Sequence, residues 1–217
     1  MIKHVVFDFD GTIVDSLGAV VDIYNEIAGQ YRFTKLDQDR YRALMNVPLR
    51  ERIKALGVPM HRIFFIRNVA RQFKQKYQTQ LHLIRMIDGV LEAAERLKEQ
   101  GYVLSILTSN SEANVREYLR NREISIFDHV YSANGLFGKH RTINQYRKQH
   151  RLSREELIYV GDETRDIQAC RKSRVPIIAV TWGVEDRALL AAANPDYLID
   201  RPQEIANVLF SETGEEI

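Results

Sequence analysis

The sequence predicts an α/β protein with a doubly wound parallel sheet, into which a small all-helical segment is inserted. Short apolar runs, rich in Val, Ile and Leu, alternate with segments of helical periodicity through most of the 217 residues. Such runs are typical of strands in a parallel sheet that is buried on both faces. Helices between buried strands imply right-handed crossovers, and in such sheets the ligand site lies at the carboxyl ends of the strands.

Individual elements follow from the same patterns. The segment after residue 88 has apolar residues at helical spacing and stops at Gly101, a common helix terminator. The predicted strands are residues 2–7, 102–107, 157–160, 176–180 and 196–199. The predicted helices outside the insert are residues 89–100, 111–121, 142–150 and 164–173.

Residues 16–85 differ in kind from the rest of the chain. Apolar residues between 20 and 27, and again between 63 and 77, have helical spacing, and no strand is predicted there. The segment is richer in Lys and Arg than in acids, as solvated helical faces often are. We therefore predict an α/β core formed by residues 1–15 and 86–217, and a helical cap formed by residues 16–85. Residues 211–217 are predicted to be a frayed acidic tail.

Composition excludes several classes of function. Hydrophobic residues make up 45% of the chain and charged residues 28%, and the formal net charge of +2 does not indicate a nucleic-acid partner. The single cysteine, Cys170, cannot form an internal disulfide or a cysteine-based zinc site. No stretch approaches the roughly 20 apolar residues that span a bilayer, and the N-terminus does not resemble a signal peptide. We expect a cytoplasmic protein without a membrane or nucleic-acid partner, and the sequence carries no signal of its oligomeric state.

Two carboxylates, Asp8 and Asp10, follow directly after the first predicted strand. Carboxylates at the end of a buried strand are costly unless a cation compensates them. Magnesium would do so, since it prefers oxygen ligands, and Gly11 lets the backbone turn tightly beside a ligand. Taken alone, an Asp-x-Asp is better explained by a turn or a helix cap, so its interpretation depends on the residues that end the later strands.

Polar residues also end two later strands. The strand that ends near residue 107 is followed by Thr108, Ser109 and Asn110. A hydroxyl at a strand end before a helix N-terminus suits a phosphate oxygen, although Ser109 or Asn110 could serve as a plain N-cap. The strand that ends at residue 160 is followed by the segment 161–166 with sequence GDETRD, which N-capping by an acid would explain only in part. Lys139 lies between these segments, where a lysine could neutralise phosphate charge or be an ordinary surface cation.

Together these segments resemble the four ordered motifs of the haloacid-dehalogenase superfamily, over essentially the whole chain. Residues 8–16, with sequence DFDGTIVDS, resemble the first motif; Thr108, Lys139 and residues 161–166 resemble the second, third and fourth. The insert is similar to the α-helical cap of the phosphoglycolate phosphatase-like and β-phosphoglucomutase-like branch. The resemblance implies a Rossmann-like core and a Mg²⁺-dependent phosphatase that acts on a small phosphorylated metabolite, with 2-phosphoglycolate as one candidate.

The resemblance also implies roles for individual residues. Asp8 would attack phosphorus and form an aspartyl phosphate, while Asp10 would protonate the leaving alcohol and later deprotonate water. Thr108 and Lys139 would align and neutralise the phosphoryl group. The implied metal ligands are Asp8, the backbone carbonyl of Asp10, and Asp162; Glu163 and Asp166 would support the metal site or orient Lys139. The residues implied to contact the phosphate or substrate are Gly11, Thr12, Ser109, Asn110 and, from the cap, Arg50 or Arg52.

One departure and three alternatives remain open at this point. The third-motif lysine of that branch is usually followed by proline, whereas Lys139 precedes His140, so the nearby Arg141 could take its place. A phosphomutase of the β-phosphoglucomutase type would share every core residue. A phosphonate hydrolase would require a reactive cap lysine, and a non-catalytic regulatory protein on this fold would be expected to lose Asp8 or Asp10, both of which are present.

Overall fold

The computed structural model describes residues 1–45, 47, 49–58, 63–133 and 138–211. The chain divides into two compact units, Met1–Asp15 with Arg85–Ile217, and Ser16–Ile84. Arg85, which the sequence analysis placed in the insert, belongs to the first unit because it pairs with Asp15 in a short antiparallel ribbon. The predicted frayed tail lies, apart from Ser211, outside the described residues.

The strands lie in the first unit and form a six-stranded parallel sheet and a two-stranded ribbon. In chain order they are β1 (His4–Phe7), β2 (Val14–Asp15), β3 (Arg85–Met86), β4 (Val103–Thr108), β5 (His129–Ser132), β6 (Leu157–Gly161), β7 (Ile177–Val180) and β8 (Tyr197–Ile199). The large sheet has the order β5-β4-β1-β6-β7-β8, and the ribbon pairs β2 with β3. The predicted doubly wound parallel sheet is therefore confirmed.

The α-helices of the described chain are divided between the two units. The second unit contains α1 (Leu17–Tyr31), α2 (Gln38–Met45), α3 (Leu49–Ala55) and α4 (Ile63–Gln80). The first unit contains α5 (Val90–Glu99), α6 (Glu112–Arg120), α7 (Lys139–Gln149), α8 (Thr164–Ser173), α9 (Arg187–Ala192) and α10 (Glu204–Ser211). Short 3₁₀ helices occur at Leu81–Leu83 and Arg154–Glu156.

The register of the central strands brings the chemically interesting loops to one edge of the sheet. Phe7, the last residue of β1, pairs with Ile106 of β4 on one side and with Val160 of β6 on the other. Asp8 therefore leaves the sheet beside the ends of β4 and β6, where Thr108 and Asp162 are found. The apolar side chains of these strands are buried on both faces of the sheet, and this packing holds the edge in place.

The second unit is built on the packing of α1 against α4. The buried residues of α1, such as Val21 and Ile27, recur at helical spacing and form its apolar side. A hydrogen bond of 2.7 Å from Nε2 of Gln72 to the Tyr31 hydroxyl and an ion pair between Lys76 and Glu26 join the two helices. Within the described residues, the regular elements of this unit are all helical.

Several local predictions were wrong, and helices α9 and α10 were not predicted at all. Strand β5 was missed because it lies at the sheet edge, where only Val130 of its four residues is buried, so the apolar run is too short to recognise. Helix α7 begins at Lys139, one turn before the predicted start at Thr142. The prediction missed this turn because residues 139–141 are all polar and carry no apolar periodicity. Among the residues that the structure describes, no helix is both long and apolar enough to cross a membrane.

Candidate phosphoryl-transfer site

Asp8 is held rigidly in the loop that follows β1. Its backbone N–H donates to the carbonyl of Val160 at 2.8 Å, and its Oδ1 accepts a hydrogen bond of 2.8 Å from the N–H of Phe9. The residue is only 2% exposed. Gly11, at φ 77°, turns the loop in the left-handed region that glycine adopts without strain. The carboxylate is thereby fixed at the carboxyl edge of the sheet.

Lys139 lies between two carboxylates. Its Nζ is 2.5 Å from Oδ2 of Asp8 and 2.5 Å from Oδ1 of Asp166, and all three side chains are almost completely buried. Burial by itself lowers the pKa of Lys139, but the carboxylates of Asp166 and Asp8 outweigh it, so the net shift is upward and the ammonium stays charged. Arg141 is exposed, so Lys139 is the cation that enters this site.

Asp162, directly after β6, is fully buried and held from two sides. Its Oδ1 accepts from the Thr12 hydroxyl at 3.0 Å, and its Oδ2 accepts from the N–H of Val184 at 2.8 Å. The backbone closes tightly around it: a Cβ at Gly11 would lie 2.1 Å from its Oδ2, and a Cβ at Gly183 would lie 2.2 Å from its Cβ. Only glycine fits at either position without displacing the carboxylate.

Asp8, Asp162 and Asp166 form a buried acid cluster. Each offers a carboxylate oxygen, and these three atoms lie within 4.8 Å of one another. Burial raises the pKa of Asp8 to about 6, and burial together with Asp8 and Asp166 raises the pKa of Asp162 to about 7. Oδ2 of Asp166 is buried and has no hydrogen-bond partner among the described residues. Lys139 contacts only two of these three buried carboxylates, so negative charge is in excess in the cluster, and its oxygen donors fit a hard divalent cation such as Mg²⁺.

Asp10 lies outside this acid cluster. It is partly buried, and its Oδ2 is 3.4 Å from Nδ2 of Asn110, which lies in the loop after β4. Asp10 and Asn110 thus approach each other from neighbouring strand ends.

The loop after β4 presents hydroxyl groups. Thr108 is 1% exposed, and its Oγ1 accepts from the N–H of Asn110 at 3.0 Å. The N-cap of α6 is Ser111, whose Oγ accepts from the N–H of Asn114, so neither Ser109 nor Asn110 is the N-cap. Oγ of Ser109 is buried and has no hydrogen-bond partner among the described residues. An anion is the natural partner for such a hydroxyl beside a helix N-terminus.

The remaining sequence candidates have contacts of their own. Glu163 is the N-cap residue of α8, and its carboxylate accepts from Nη2 of Arg165 at 3.0 Å. In the second unit Arg50 is exposed, whereas Arg52 donates from Nε to the Val47 carbonyl at 2.7 Å and from Nη2 to the Met45 carbonyl. The guanidinium of Arg52 therefore stabilises the end of α2.

In the segment 182–185, which follows β7, sequence reasoning did not identify Val184 or Glu185. The Trp182 indole N–H donates to the Thr12 carbonyl at 3.1 Å, and Glu185 accepts from the N–H of Thr164 at 2.6 Å. Together with the contact of Val184 to Asp162, these bonds join the loop to the acid cluster. The only sequence signal for this loop was the dipeptide of Trp182 and Gly183 after a predicted strand. Val184 gives no signal because it contributes a backbone N–H, which every residue except proline has.

The chain is similar to known proteins over most of its length. A sequence model of the haloacid dehalogenase-like hydrolase family matches residues 5–180. The chain is 32% identical over 205 residues to phosphoglycolate phosphatase of Synechococcus elongatus, covering 94% of this chain and 95% of that protein. It is 23% identical over 217 residues to pyrophosphatase PpaX of Bacillus mycoides, covering 98% and 99%. A haloacid dehalogenase-like hydrolase from Streptococcus pneumoniae shares the fold, with a TM-score of 0.83, 24% identity and coverage of 96% and 98%.

Proposed function

Because the chain belongs to the haloacid dehalogenase-like hydrolase family, we propose that it is a Mg²⁺-dependent phosphatase that forms an aspartyl phosphate on Asp8. The observation that carries the proposal is the position of Asp8, which touches Lys139 and lies within the buried acid cluster. Phosphoryl transfer requires mainly alignment and charge neutralisation, and this site combines a fixed carboxylate with a buried cation.

The reaction has two displacements. In the first, a carboxylate oxygen of Asp8 bonds to phosphorus as the bond to the leaving oxygen breaks, and Asp10 gives its proton to that oxygen. In the second, water bonds to phosphorus, its proton passes to Asp10, and the bond to Asp8 breaks, releasing phosphate. Asp8 and Asp10 are thereby restored.

The metal would be held by Asp8, Asp162 and the backbone carbonyl of Asp10, an oxygen donor set that suits Mg²⁺. When bound, Mg²⁺ supplies positive charge that neutralises the phosphoryl oxygens. Asp166 orients Lys139 through their 2.5 Å contact, and Lys139 adds a second positive charge beside Asp8. Lys139 therefore lowers the charge repulsion between Asp8 and an incoming phosphate.

Hydroxyl and amide donors would hold the phosphate. Ser109, with a buried and unpartnered Oγ, and Thr108 lie at the end of β4, and Asn110 lies against Asp10. Gly11 and Thr12 line the opposite loop, where the positive φ of Gly11 brings the backbone close to Asp162. These groups would bind the three equatorial oxygens during transfer.

The substrate is proposed to be a small phosphomonoester, and 2-phosphoglycolate is the first candidate because the 32% identical relative is a phosphoglycolate phosphatase. The alternative is inorganic pyrophosphate, a phosphoanhydride rather than a phosphomonoester, since another relative is a pyrophosphatase. The helical unit would act as a cap that excludes water, and the exposed Arg50 would contact the substrate carboxylate. Arg52, already bonded to two backbone carbonyls, is the matched control.

The test is phosphate release from p-nitrophenyl phosphate, 2-phosphoglycolate, pyrophosphate and a sugar phosphate, with Mg²⁺ and with EDTA. The wild type should turn over at least one substrate when Mg²⁺ is present and none in EDTA. Asp8→Asn should lose that turnover while remaining folded. Turnover that survives in Asp8→Asn would contradict the mechanism. A sugar phosphate that is isomerised without release of phosphate would indicate a phosphomutase instead.

A further inference from the structure

We propose that Glu185 is a positioning residue, which fixes the first turn of α8 and, through it, the acid cluster. It belongs to residues 182–185, which we call the strap. The structural part of this proposal stands on the contacts of Glu185, and only its kinetic consequence rests on the proposed function. The contacts of Glu185 that carry the proposal are with Thr164, in the first turn of α8, so its effect is argued through α8 and Asp162.

Helix α8 lacks the usual local cap. Its N-cap residue, Glu163, makes no side-chain capping bond. Instead Oε2 of Glu185 accepts from the N–H of Thr164 at 2.6 Å, and Oε1 accepts from the Thr164 hydroxyl at 3.3 Å. A carboxylate at a helix N-terminus satisfies an otherwise unpaired donor and interacts favourably with the helix dipole. Glu185 thus caps α8 from a distant loop.

Glu185 is buried, which makes the cap costly to remove. The residue is only 6% exposed. Loss of its carboxylate would leave the N–H of Thr164 without that acceptor in a poorly solvated place, and an unpaired donor of this kind is unfavourable. The first turn of α8 would then open more readily.

That turn carries a member of the acid cluster. Asp166 lies in the first turn of α8, two residues after Thr164, and its Oδ1 contacts Lys139 at 2.5 Å. Lys139 in turn contacts Asp8 at 2.5 Å. Opening of the turn would therefore move Asp166 relative to Lys139 and loosen the orientation of the lysine beside Asp8.

The strap also reaches the acid cluster directly. The N–H of Val184, the residue before Glu185, donates to Oδ2 of Asp162 at 2.8 Å. The Trp182 indole N–H donates to the carbonyl of Thr12, whose hydroxyl donates to Oδ1 of Asp162. Two of these contacts join the strap to both sides of Asp162, and the third, from Glu185, ties it to α8.

The experiment compares Glu185→Ala with Glu185→Gln. Glutamine retains an acceptor for the N–H of Thr164 and can donate to its hydroxyl, so it should preserve the cap, whereas alanine removes it. Three quantities are measured: hydrogen exchange of the amides in residues 164–168, the increase in Tm that Mg²⁺ produces, and kcat and KM for p-nitrophenyl phosphate. Ser153→Ala is the matched control, since it removes a cap from the 3₁₀ helix Arg154–Glu156, away from the acid cluster.

Glu185→Ala should speed hydrogen exchange of the amides in α8. It should also increase the Mg²⁺ concentration needed for a given rise in Tm by roughly tenfold, and lower kcat by roughly tenfold with little change in KM. Glu185→Gln should stay within about threefold of the wild type, because both cap contacts survive. Ser153→Ala should lower Tm without changing the Mg²⁺ response or kcat.

If Glu185→Ala lowers Tm but leaves α8 exchange and the Mg²⁺ response unchanged, the positioning role is wrong. If Glu185→Gln is as impaired as Glu185→Ala, the cap contacts are not the cause and the proposal is likewise overturned. A wild type with neither turnover nor a Mg²⁺ response would refute the proposed function, and exchange in α8 would still decide whether Glu185 fixes the helix.

Discussion

The ammonium group of Lys139 lies 2.5 Å from Oδ2 of Asp8, and both side chains are almost fully buried. The two residues are 131 positions apart in sequence, and each depends on the other for compensation of a buried charge. This ion pair links the stability of the site to its chemistry, because the same cation that stabilises Asp8 would neutralise an incoming phosphate.

Lys139→Ala should therefore damage activity and stability together. Removing one partner of a buried ion pair typically costs about 3–5 kcal/mol, and loss of a single preorganised charge donor typically lowers kcat by roughly a hundredfold or more. Urea denaturation and phosphate release measure the two effects. Arg141→Ala, which removes an exposed cation two residues away, should leave both near wild type. Equal effects of the two substitutions would show that burial of Lys139 is unimportant.

The metal-free protein should be destabilised by ionisation of Asp162. Burial, with Asp8 and Asp166, raises the pKa of this carboxyl from 3.8 to about 7 in the folded protein. As pH rises, the carboxyl therefore ionises at a lower pH in the unfolded chain than in the folded protein. Stability from this group is present below pH 3.8 and is lost as pH rises through about 7. In EDTA, the stability of Asp162→Asn relative to wild type should accordingly increase over that range.

Asp200 is a control whose pKa is shifted in the opposite direction. A hydrogen bond from Thr181 and the neighbouring Arg187 lower its pKa, so Asp200→Asn should lose stability relative to wild type as pH rises. Urea midpoints of the three proteins across the pH range measure both trends. If the urea midpoints of Asp162→Asn and wild type change with pH in the same way, ionisation of the buried Asp162 carboxyl does not destabilise the folded protein.

Gly183→Ala should disturb the metal site without altering its ligands. The added Cβ would lie 2.2 Å from Cβ and 2.3 Å from Oδ2 of Asp162, so the carboxylate must shift. We expect a loss of about 1–3 kcal/mol in stability and a higher Mg²⁺ concentration for half-maximal phosphate release. Gly29→Ala is the control, because its Cβ would meet only Cε of Lys35 at 3.9 Å. That helical substitution should be neutral or stabilising by about 0.5–1 kcal/mol.

A second pH effect should come from the histidine cluster formed by His4, His129 and His150 at the opposite edge of the sheet. Nδ1 of His4 is 2.7 Å from the Tyr146 hydroxyl, and the His129 and His150 rings lie 4.6 Å apart. Burial, His150 and His129 lower the pKa of His4 from 6.5 to about 4. Stability from neutral His4 is thus present above pH 6.5 and lost as pH falls toward 4.

The comparison of wild type with His4→Asn checks this effect. Asparagine keeps a polar atom near the Tyr146 hydroxyl but does not titrate. Urea midpoints should fall more steeply for wild type than for His4→Asn between about pH 7 and about pH 5. An identical slope for both proteins would show that His4 is not protonated on unfolding.

The sequence predicted the sheet and the identity of the site loops because both leave local signals. Buried strands appear as apolar runs, and Asp8 and Asp162 interrupt such runs abruptly. The match of the haloacid dehalogenase-like family over residues 5–180 confirms the resemblance seen in these motifs. Lys139 could be named as a candidate but not distinguished from Arg141, since its burial depends on the packing of α7 against α8.

Other features could not be predicted because their signals are not local. Val184 contributes a backbone N–H, which no residue type reveals, and Glu185 caps a helix that begins 21 residues earlier. Strand β5 has one buried residue among its four, so hydrogen bonding to β4, rather than an apolar run of its own, defines it.

The central claim is that Asp8 carries the phosphoryl group, and trapping the acyl phosphate tests it most directly. Borohydride added during turnover reduces an aspartyl phosphate to homoserine, which peptide mass spectrometry locates. The account predicts homoserine at position 8, formed only with substrate and Mg²⁺ and absent from Asp8→Asn. Homoserine at another aspartate, or continued turnover with no reduction at position 8, would contradict it.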